Sequence, residues 1–204
     1  MTPIIPRRGI LFVVSAPSGA GKTTLSNALR QTEKYVYSVS CTTRSARPGE
    51  IEGEDYYFLT KEEFARRVAA GEFLEHANVH GHSYGTLRST VLEHLSKGVD
   101  VLLDIDIQGA NSIRACNDPD IIDALADVFI MPRSLEELRH RLIKRATETP
   151  EEIEVRLRNA ASEMKGWRLY KYAIISGSVQ EDLEKFNAIM KAERYLSRRL
   201  LLEL

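Results

Sequence analysis

The stretch that decides the fold is ILFVVSAPSGAGKTT, residues 10–24. Residues 10–15 form a bulky apolar run without polar alternation, which predicts a strand buried on both faces of a parallel sheet. A glycine-rich loop follows, and residues 22–29 have the pattern of a helix. A strand, a glycine-rich loop and a helix in this order form a typical phosphate-binding unit of α/β proteins.

The loop matches the end of the pattern G-x-x-x-x-G-K-[ST] at Gly21, Lys22 and Thr23. Its first position is Ala16, which is unstrained as long as φ is negative, as expected at the end of a strand. Lys22 is expected to reach the β- and γ-phosphates of a bound nucleotide, and the Thr23 hydroxyl is expected to bind Mg²⁺. The predicted residues of this nucleotide-binding phosphate loop are Ala16, Pro17, Ser18, Gly19, Ala20, Gly21, Lys22, Thr23 and Thr24.

Composition excludes several classes of protein. The 204 residues are 43% hydrophobic, and 28 Lys and Arg balance 29 Asp and Glu, which argues against nucleic-acid binding as the main activity. Cys41 and Cys116 lack zinc spacing and indicate reduced thiols. No signal peptide and no apolar run of roughly 20 residues is present. We therefore expect a cytoplasmic protein without membrane partners, and the sequence leaves a homo-oligomer open.

Predicted strands alternate with predicted helices along the whole chain. This order favours a single α/β domain, 1–204, with a mostly parallel sheet flanked by helices. The C-terminal segment, RRLLLEL included, has the pattern of one long amphipathic helix. The remaining predicted strands are YVYSVSC (35–41), YYFL (56–59), VDVLLDIDI (99–107), DVFIM (127–131) and YAII (172–175).

Polar residues in three later segments suit the second half of a phosphate site. Two arginines in CTTRSARPGE could grip one phosphate from two sides, although two solvated arginines are the simpler interpretation. The segment GHSYGT contains a tyrosine and a threonine between glycines. In LLDIDIQG, two aspartates follow a buried strand, where α/β sheets bind ligands and metal ions. These residues are Arg44, Arg47, Tyr84, Thr86, Asp104 and Asp106. The spacing of His76, His80 and His82 matches no zinc template, and surface histidines are favoured there.

The sequence resembles the guanylate kinase family over essentially its whole length. The motifs occur in the family's order: SAPSGAGKT, SCTTRSARPGE, GEDYYF, EFLEHANVHGHSYGT, LLDIDIQGA and an Arg-rich segment. The resemblance implies the reaction ATP + GMP ⇌ ADP + GDP on a P-loop NTPase-like parallel sheet. It also implies a GMP-binding subdomain at about 40–89, an Arg-rich lid at about 134–160, and a core of 1–39, 90–133 and 161–204.

The resemblance also implies roles for individual residues. Ser40, Glu75, Thr86 and Asp106 should bind guanine, because a carboxylate such as Glu75 accepts from the guanine N1–H and N2–H₂ groups, and Thr86 can donate to O6. The residues implied for the GMP phosphate are Arg44, Arg47, Tyr56 and Tyr84. Those implied for Mg²⁺ are Thr23 and Asp104. Those implied for catalysis are Lys22, Arg44, Arg141, Arg145 and Arg156.

The chain departs from the family pattern at two places. It has Arg145-Ala146 in the lid, where many members read Arg-Gly, and Ser176-Gly177 after the last strand, where they read Asn-Asp. Two other functions stay open on the sequence. A non-catalytic binding module would lack the Gly-Lys-Thr ending, and a kinase for another acceptor, such as a sugar phosphate, would lack the guanine-binding set.

Overall fold

The computed structural model describes residues 6–17, 19–31, 35–79, 81–145 and 149–202, and for Thr23 and Arg145 the backbone alone. Strands and helices alternate along most of these segments. The strands are β1 (Leu11–Ser15), β2 (Val36–Tyr37), β3 (Ser40–Thr42), β4 (Tyr56–Phe58), β5 (Phe73–Val79), β6 (His82–Leu87), β7 (Val101–Asp104), β8 (Leu125–Met131) and β9 (Tyr172–Ile175). The helices are α1 (Lys22–Arg30), α2 (Lys61–Ala69), α3 (Arg88–Ser96), α4 (Ile107–Arg114), α5 (Pro119–Ala124), α6 (Leu135–Arg145), α7 (Pro150–Met164) and α8 (Val179–Arg194).

The core sheet has the strand order β2-β7-β1-β8-β9, and all its pairs are parallel. Alternate residues of the central strand β1 enter two different apolar clusters. Leu11 and Val13 pack in one, and Phe12 and Val14 pack in the other. All four side chains are fully buried, which is why this strand shows no polar alternation in the sequence. The predicted parallel sheet with flanking helices is confirmed.

A second sheet, with the order β4-β3-β6-β5, lies beside the core. Strands β5 and β6 form an antiparallel hairpin in which Glu75 is the direct partner of Thr86. The segment YVYSVSC, predicted as one strand, is divided between the two sheets: β2 pairs with β7 and β3 pairs with β4 and β6. The single-strand prediction was therefore wrong. The chain changes sheets at Ser38 and Val39, and the apolar pattern runs through that change without interruption.

Helices α6 and α7 pack on each other around a small apolar cluster of their own. Ser134 Oγ accepts from the Glu137 backbone N–H at the start of α6 (3.1 Å), and Thr149 and Glu152 form a complete capping box at the start of α7. The cluster consists of Leu138, Leu142, Ile153, Leu157 and Ala160.

The C-terminal segment is not one long helix, as the sequence suggested. Helix α8 ends at Arg194, a 3₁₀ turn follows, and Leu200 pairs with Arg7 in an isolated antiparallel bridge. The reversal places the buried Arg199 guanidinium against the buried Glu193 carboxylate, with Nη2 and Oε2 2.5 Å apart. A buried carboxylate needs such a partner, and this requirement outweighs the helical pattern of the terminal leucines. Among the described residues, no helix is long and apolar enough to cross a membrane.

Candidate active site

The glycine-rich loop joins β1 to α1 as predicted. Gly19 and Gly21 have positive φ, 88° and 101°, which residues with a Cβ adopt rarely. Gly21 is the N-cap of α1, so no side chain covers the first N–H groups of the helix. These groups and the helix dipole make the loop a site for anions. Ala16 is half-buried and packs against the apolar cluster that contains Phe12. Ser18 and the Thr23 side chain lie outside the described part of the chain.

Lys22 connects the loop to the carboxyl end of β7. Its Nζ is ion-paired with Asp104 and donates to the Ile105 carbonyl oxygen at 3.1 Å. The side chains of both Lys22 and Asp104 are largely buried, at 24% and 13% exposure. The ammonium group and the carboxylate therefore lie together where the loop meets the next cavity.

That cavity, which we call the acceptor pocket, opens between the two sheets and has a volume of about 160 Å³. Six of the residues predicted for the site line it, and both carboxylates predicted for guanine binding are among them. The six are Ser40, Tyr56, Glu75, Tyr84, Asp104 and Asp106.

Glu75 is the most buried carboxylate of the acceptor pocket, at 5% exposure. Its Oε1 accepts a hydrogen bond from Thr86 Oγ1 at 2.7 Å. Burial raises the pKa of Glu75 to about 7, although the Thr86 hydrogen bond acts in the opposite direction. The single Thr86 hydroxyl proton is used in this contact. The geometry therefore favours a role for Thr86 in holding Glu75, in place of the predicted donation to O6.

Asp106 lies at the N-cap of helix α4. Its Oδ1 accepts from the Gly109 backbone N–H at 2.8 Å, which fixes the carboxylate at the start of the helix. Glu75 and Asp106 thus present two acidic groups to one pocket, and the nearby Asp106 charge also raises the pKa of Glu75.

Arg44 is held in place by Glu50 on the same loop. Arg44 Nη2 and Nη1 lie 2.8 and 3.0 Å from the two Glu50 carboxylate oxygens, and Glu50 Oε2 also accepts from the Arg47 backbone N–H at 2.7 Å. Tyr84 also interacts with Arg44 and, after Glu50, helps to raise the pKa of that guanidinium group. Its guanidinium carbon lies 5.3 Å from the centroid of the Tyr56 ring, and the Tyr56 and Tyr84 rings meet edge to face at 6.0 Å. Three of the four predicted phosphate ligands therefore form one cluster.

The fourth predicted phosphate ligand is placed differently. Arg47, within the described segment 35–79, is exposed and is not part of the acceptor-pocket lining. Its backbone is fixed by Glu50, whereas its guanidinium extends from the loop surface. A ligand phosphate would have to bring this side chain inward.

Helix α6 lies directly on the phosphate loop. Arg141 Nη1 donates to the Ala20 carbonyl oxygen (3.0 Å) and to Ser176 Oγ (3.2 Å), and Nη2 donates to Glu137 Oε1 (2.7 Å). A Cβ on Gly19 would lie 2.8 Å from Leu142 Cδ2, so the absent side chain also allows this close approach. The Arg145 side chain and Ala146 lie outside the described part, and Arg145 is assigned only to the last turn of α6.

A larger cleft of about 1010 Å³ separates helix α7 from the loop and the acceptor pocket. Arg156, on α7, lines this cleft together with Lys22 and Asp106. The three predicted groups thus line one space.

Beside the loop, Ser176 and Gly177, where the chain departs from the family pattern, are both held by Asp182. Ser176 Oγ donates to Asp182 Oδ2 and the Gly177 N–H donates to Asp182 Oδ1, both at 2.9 Å. A Cβ on Gly177 would lie 2.0 Å from Glu181 Oε2, so a larger residue there would require the Glu181 side chain to move. Residues Gly21, Thr24, Arg141 and Ser176 line a cavity of about 510 Å³ next to the loop.

Sequence reasoning missed three ionisable residues of the acceptor pocket: Arg30, Tyr37 and Asp55. The Arg30 guanidinium lies 3.7 Å from the centroid of the Tyr37 ring, and burial raises the pKa of Tyr37 to about 12. Each comes from a different segment, so no local spacing marks them. Among the described residues, which do not include His80, no cluster of His, Cys, Asp and Glu forms a metal site.

Comparison with known proteins identifies guanylate kinases as relatives of this chain. The guanylate kinase family model matches residues 8–193. The guanylate kinase of Gluconobacter oxydans is 45% identical over 196 residues, covering 96% of this chain and 92% of that protein. The guanylate kinase of Thermotoga maritima is 44% identical over 188 residues, covering 92% of this chain and 88% of that protein.

The fold agrees with a solved relative. The crystal structure of guanylate kinase from Anaplasma phagocytophilum superposes with a TM-score of 0.77 at 36% identity, covering 97% of this chain and 92% of that one. The family match spans the loop, the acceptor pocket and both helices α6 and α7. The chain therefore belongs to the guanylate kinase family, and its enzymatic activity is that of a guanylate kinase.

Proposed function

We propose that the chain transfers the γ-phosphoryl group of ATP to GMP, with the phosphate loop holding the donor and the acceptor pocket holding GMP. The observation that carries the proposal is the contact between Lys22 of the loop and Asp104, which lines the acceptor pocket. This contact places the two halves of the site edge to edge. Two bound nucleotides would then meet at their phosphates.

In the acceptor pocket, ionised Glu75 accepts from N1–H and N2–H₂ of guanine, and Asp106 and Ser40 complete the polar lining. Thr86 orients Glu75 through its 2.7 Å hydrogen bond. Adenine offers an acceptor at N1, which two acidic groups would repel. The cluster of Arg44, Tyr56 and Tyr84, with Arg47 drawn in from the surface, binds the GMP phosphate.

A phosphate oxygen of GMP attacks the γ-phosphorus of ATP. The bond between the γ-phosphorus and the oxygen that bridges the β- and γ-phosphates breaks, and ADP leaves. The protein aligns the groups and neutralises the spreading negative charge, so no general base is required. Lys22 moves from Asp104 to the transferred phosphate. Arg141 already lies on the loop, and Arg145 and Arg156 approach as the α6–α7 lid closes the 1010 Å³ cleft and excludes water.

Mg²⁺ is the cofactor we propose, bound with ATP. The available donors fit a hard cation, since Asp104 supplies carboxylate oxygens beside the phosphate loop and Thr23 occupies the hydroxyl position of the motif. Without a dedicated cluster among the described residues, most remaining ligands would come from phosphates and water. Bound Mg²⁺ supplies charge neutralisation on the β- and γ-phosphates. We place the enzyme in the cytoplasm, since both of its cysteines are free thiols. Its partners are the substrates ATP and GMP.

A coupled assay of ADP formation with ATP and GMP, AMP or a sugar phosphate tests the proposal. We expect rapid turnover with GMP and little with the other two acceptors. A preference for a sugar phosphate would indicate a different kinase. Absence of turnover with all three would indicate a binding module that has kept the fold.

A further inference from the structure

We propose that Gly109 is a specificity-determining position of the acceptor pocket, because its backbone and its missing side chain together set the positions of both guanine-binding carboxylates. The inference rests on the proposed role of Glu75 and Asp106. It adds a residue that contributes no functional side chain and was not among the sequence predictions.

The backbone of Gly109 positions Asp106. Gly109 lies in the first turn of α4, and its N–H donates to Asp106 Oδ1 at 2.8 Å. This bond alone would be available to any residue with an N–H group. It does not explain why the position is a glycine.

The missing side chain positions Glu75. A Cβ built on Gly109 would lie 2.6 Å from Glu75 Oε2 and 3.2 Å from Glu75 Cδ. Gly109 is itself buried, so the Glu75 carboxylate rests on the bare backbone of α4. Its other oxygen is fixed by Thr86, and the carboxylate occupies the space between the hairpin and the helix.

The helix itself gives no reason for a glycine here. Gly109 is not among the glycines with positive φ, and in a helix alanine is more favourable than glycine. The nearest atom to the added Cβ is the end of a flexible side chain, which can move, and Ile105 Cδ1 at 3.2 Å needs to yield only slightly. Gly109→Ala should therefore preserve the fold while displacing the Glu75 carboxylate from its position toward guanine.

The experiment is steady-state kinetics of G109A with saturating ATP and varied GMP or IMP, which lacks the 2-amino group. We expect kcat/KM for GMP to fall about tenfold to a hundredfold, as displacement of a binding group by about 1 Å can produce. The preference for GMP over IMP should shrink, while KM for ATP and Tm stay unchanged or Tm rises. Gly166→Ala, where an added Cβ meets open space within 4 Å, is the matched control and should leave all four quantities unchanged.

A double-mutant cycle with Glu75→Ala separates the possible failures. In the E75A background, G109A should have no further effect on GMP, since no carboxylate remains to be displaced. If E75A alone leaves kcat/KM for GMP unchanged, the proposed guanine site is wrong and this inference falls with it. If E75A is impaired but G109A is not, only the inference is overturned. An equal effect of G109A in both backgrounds, or an unfolded G109A, also contradicts it.

Discussion

The two halves of the active site are built in different ways. The donor half is mainly backbone: left-handed glycines, an uncapped helix start and one lysine, all within one short stretch. The acceptor half is made of side chains from several segments that hold one another, such as Glu75 with Thr86 across a hairpin and Arg44 with Glu50 within one loop. The donor half therefore binds phosphate, which nucleotides share, whereas the acceptor half can distinguish one base from another.

The largest effect is expected from a substitution in the donor half, at Lys22. Lys22→Ala removes a cation that the transition state needs most, so we expect kcat to fall by about 10²–10³-fold or more, by analogy with loss of one oxyanion donor. Circular dichroism should be close to wild type, whereas Tm should fall, because the largely buried Asp104 loses its ion-pair partner. A near-normal kcat would show that Lys22 does not take part in phosphoryl transfer.

Glu75→Gln should damage the acceptor half alone. Gln keeps one acceptor oxygen but turns the other into a donor that faces a guanine donor. We expect a loss of about 2–4 kcal/mol in kcat/KM for GMP, as when a polar group of a site is left unpaired. KM for ATP should barely change. An unaltered kcat/KM for GMP would show that Glu75 does not bind guanine.

Arg44→Ala and Arg47→Ala should each raise KM for GMP more than KM for ATP. Loss of a charge-assisted bond to phosphate corresponds to about 1.5–3 kcal/mol, or roughly tenfold to a hundredfold. Only R44A should also lower Tm, since Arg44 is paired with Glu50 whereas Arg47 is exposed. Equal effects of either variant on both substrates would place that arginine outside the acceptor half.

Stability should reflect the buried Glu75 carboxyl group. Its pKa is about 7 in the folded protein, above the ordinary 4.5, so the folded state binds this proton more tightly than the unfolded state does. The stability that the protonated group contributes is complete below about pH 4.5 and is lost as the pH rises through 7. The Tm of E75Q minus that of wild type should therefore increase between pH 5 and pH 8. A constant difference would show that Glu75 titrates normally.

The donor half was largely predictable from the sequence, because its residues follow one another and backbone geometry follows from glycine spacing. The loop, its strand and its helix lie where the pattern placed them. Specificity in the acceptor half was predictable only through the resemblance to a family. Arg30, Tyr37 and Asp55 come from three segments, and the contact of Gly109 with Glu75 joins a helix to a hairpin.

The two wrong predictions about the fold, at residues 35–41 and at the C-terminal segment, have a similar cause. YVYSVSC keeps its apolar pattern while the chain passes from one sheet to another, and only the pairing partners reveal the change. The terminal leucines fit a helix, but the buried Glu193–Arg199 pair requires the chain to turn back. Local periodicity contains no information about such distant partners.

The central claim is that a buried carboxyl group becomes ionised as it accepts from guanine. Calorimetry of GMP binding at pH 7, repeated in buffers of different ionisation enthalpy, measures the protons released. With a pKa of about 7, Glu75 is half protonated before binding, so wild type should release about half a proton more per GMP than E75Q. Equal release by the two proteins would contradict the claim.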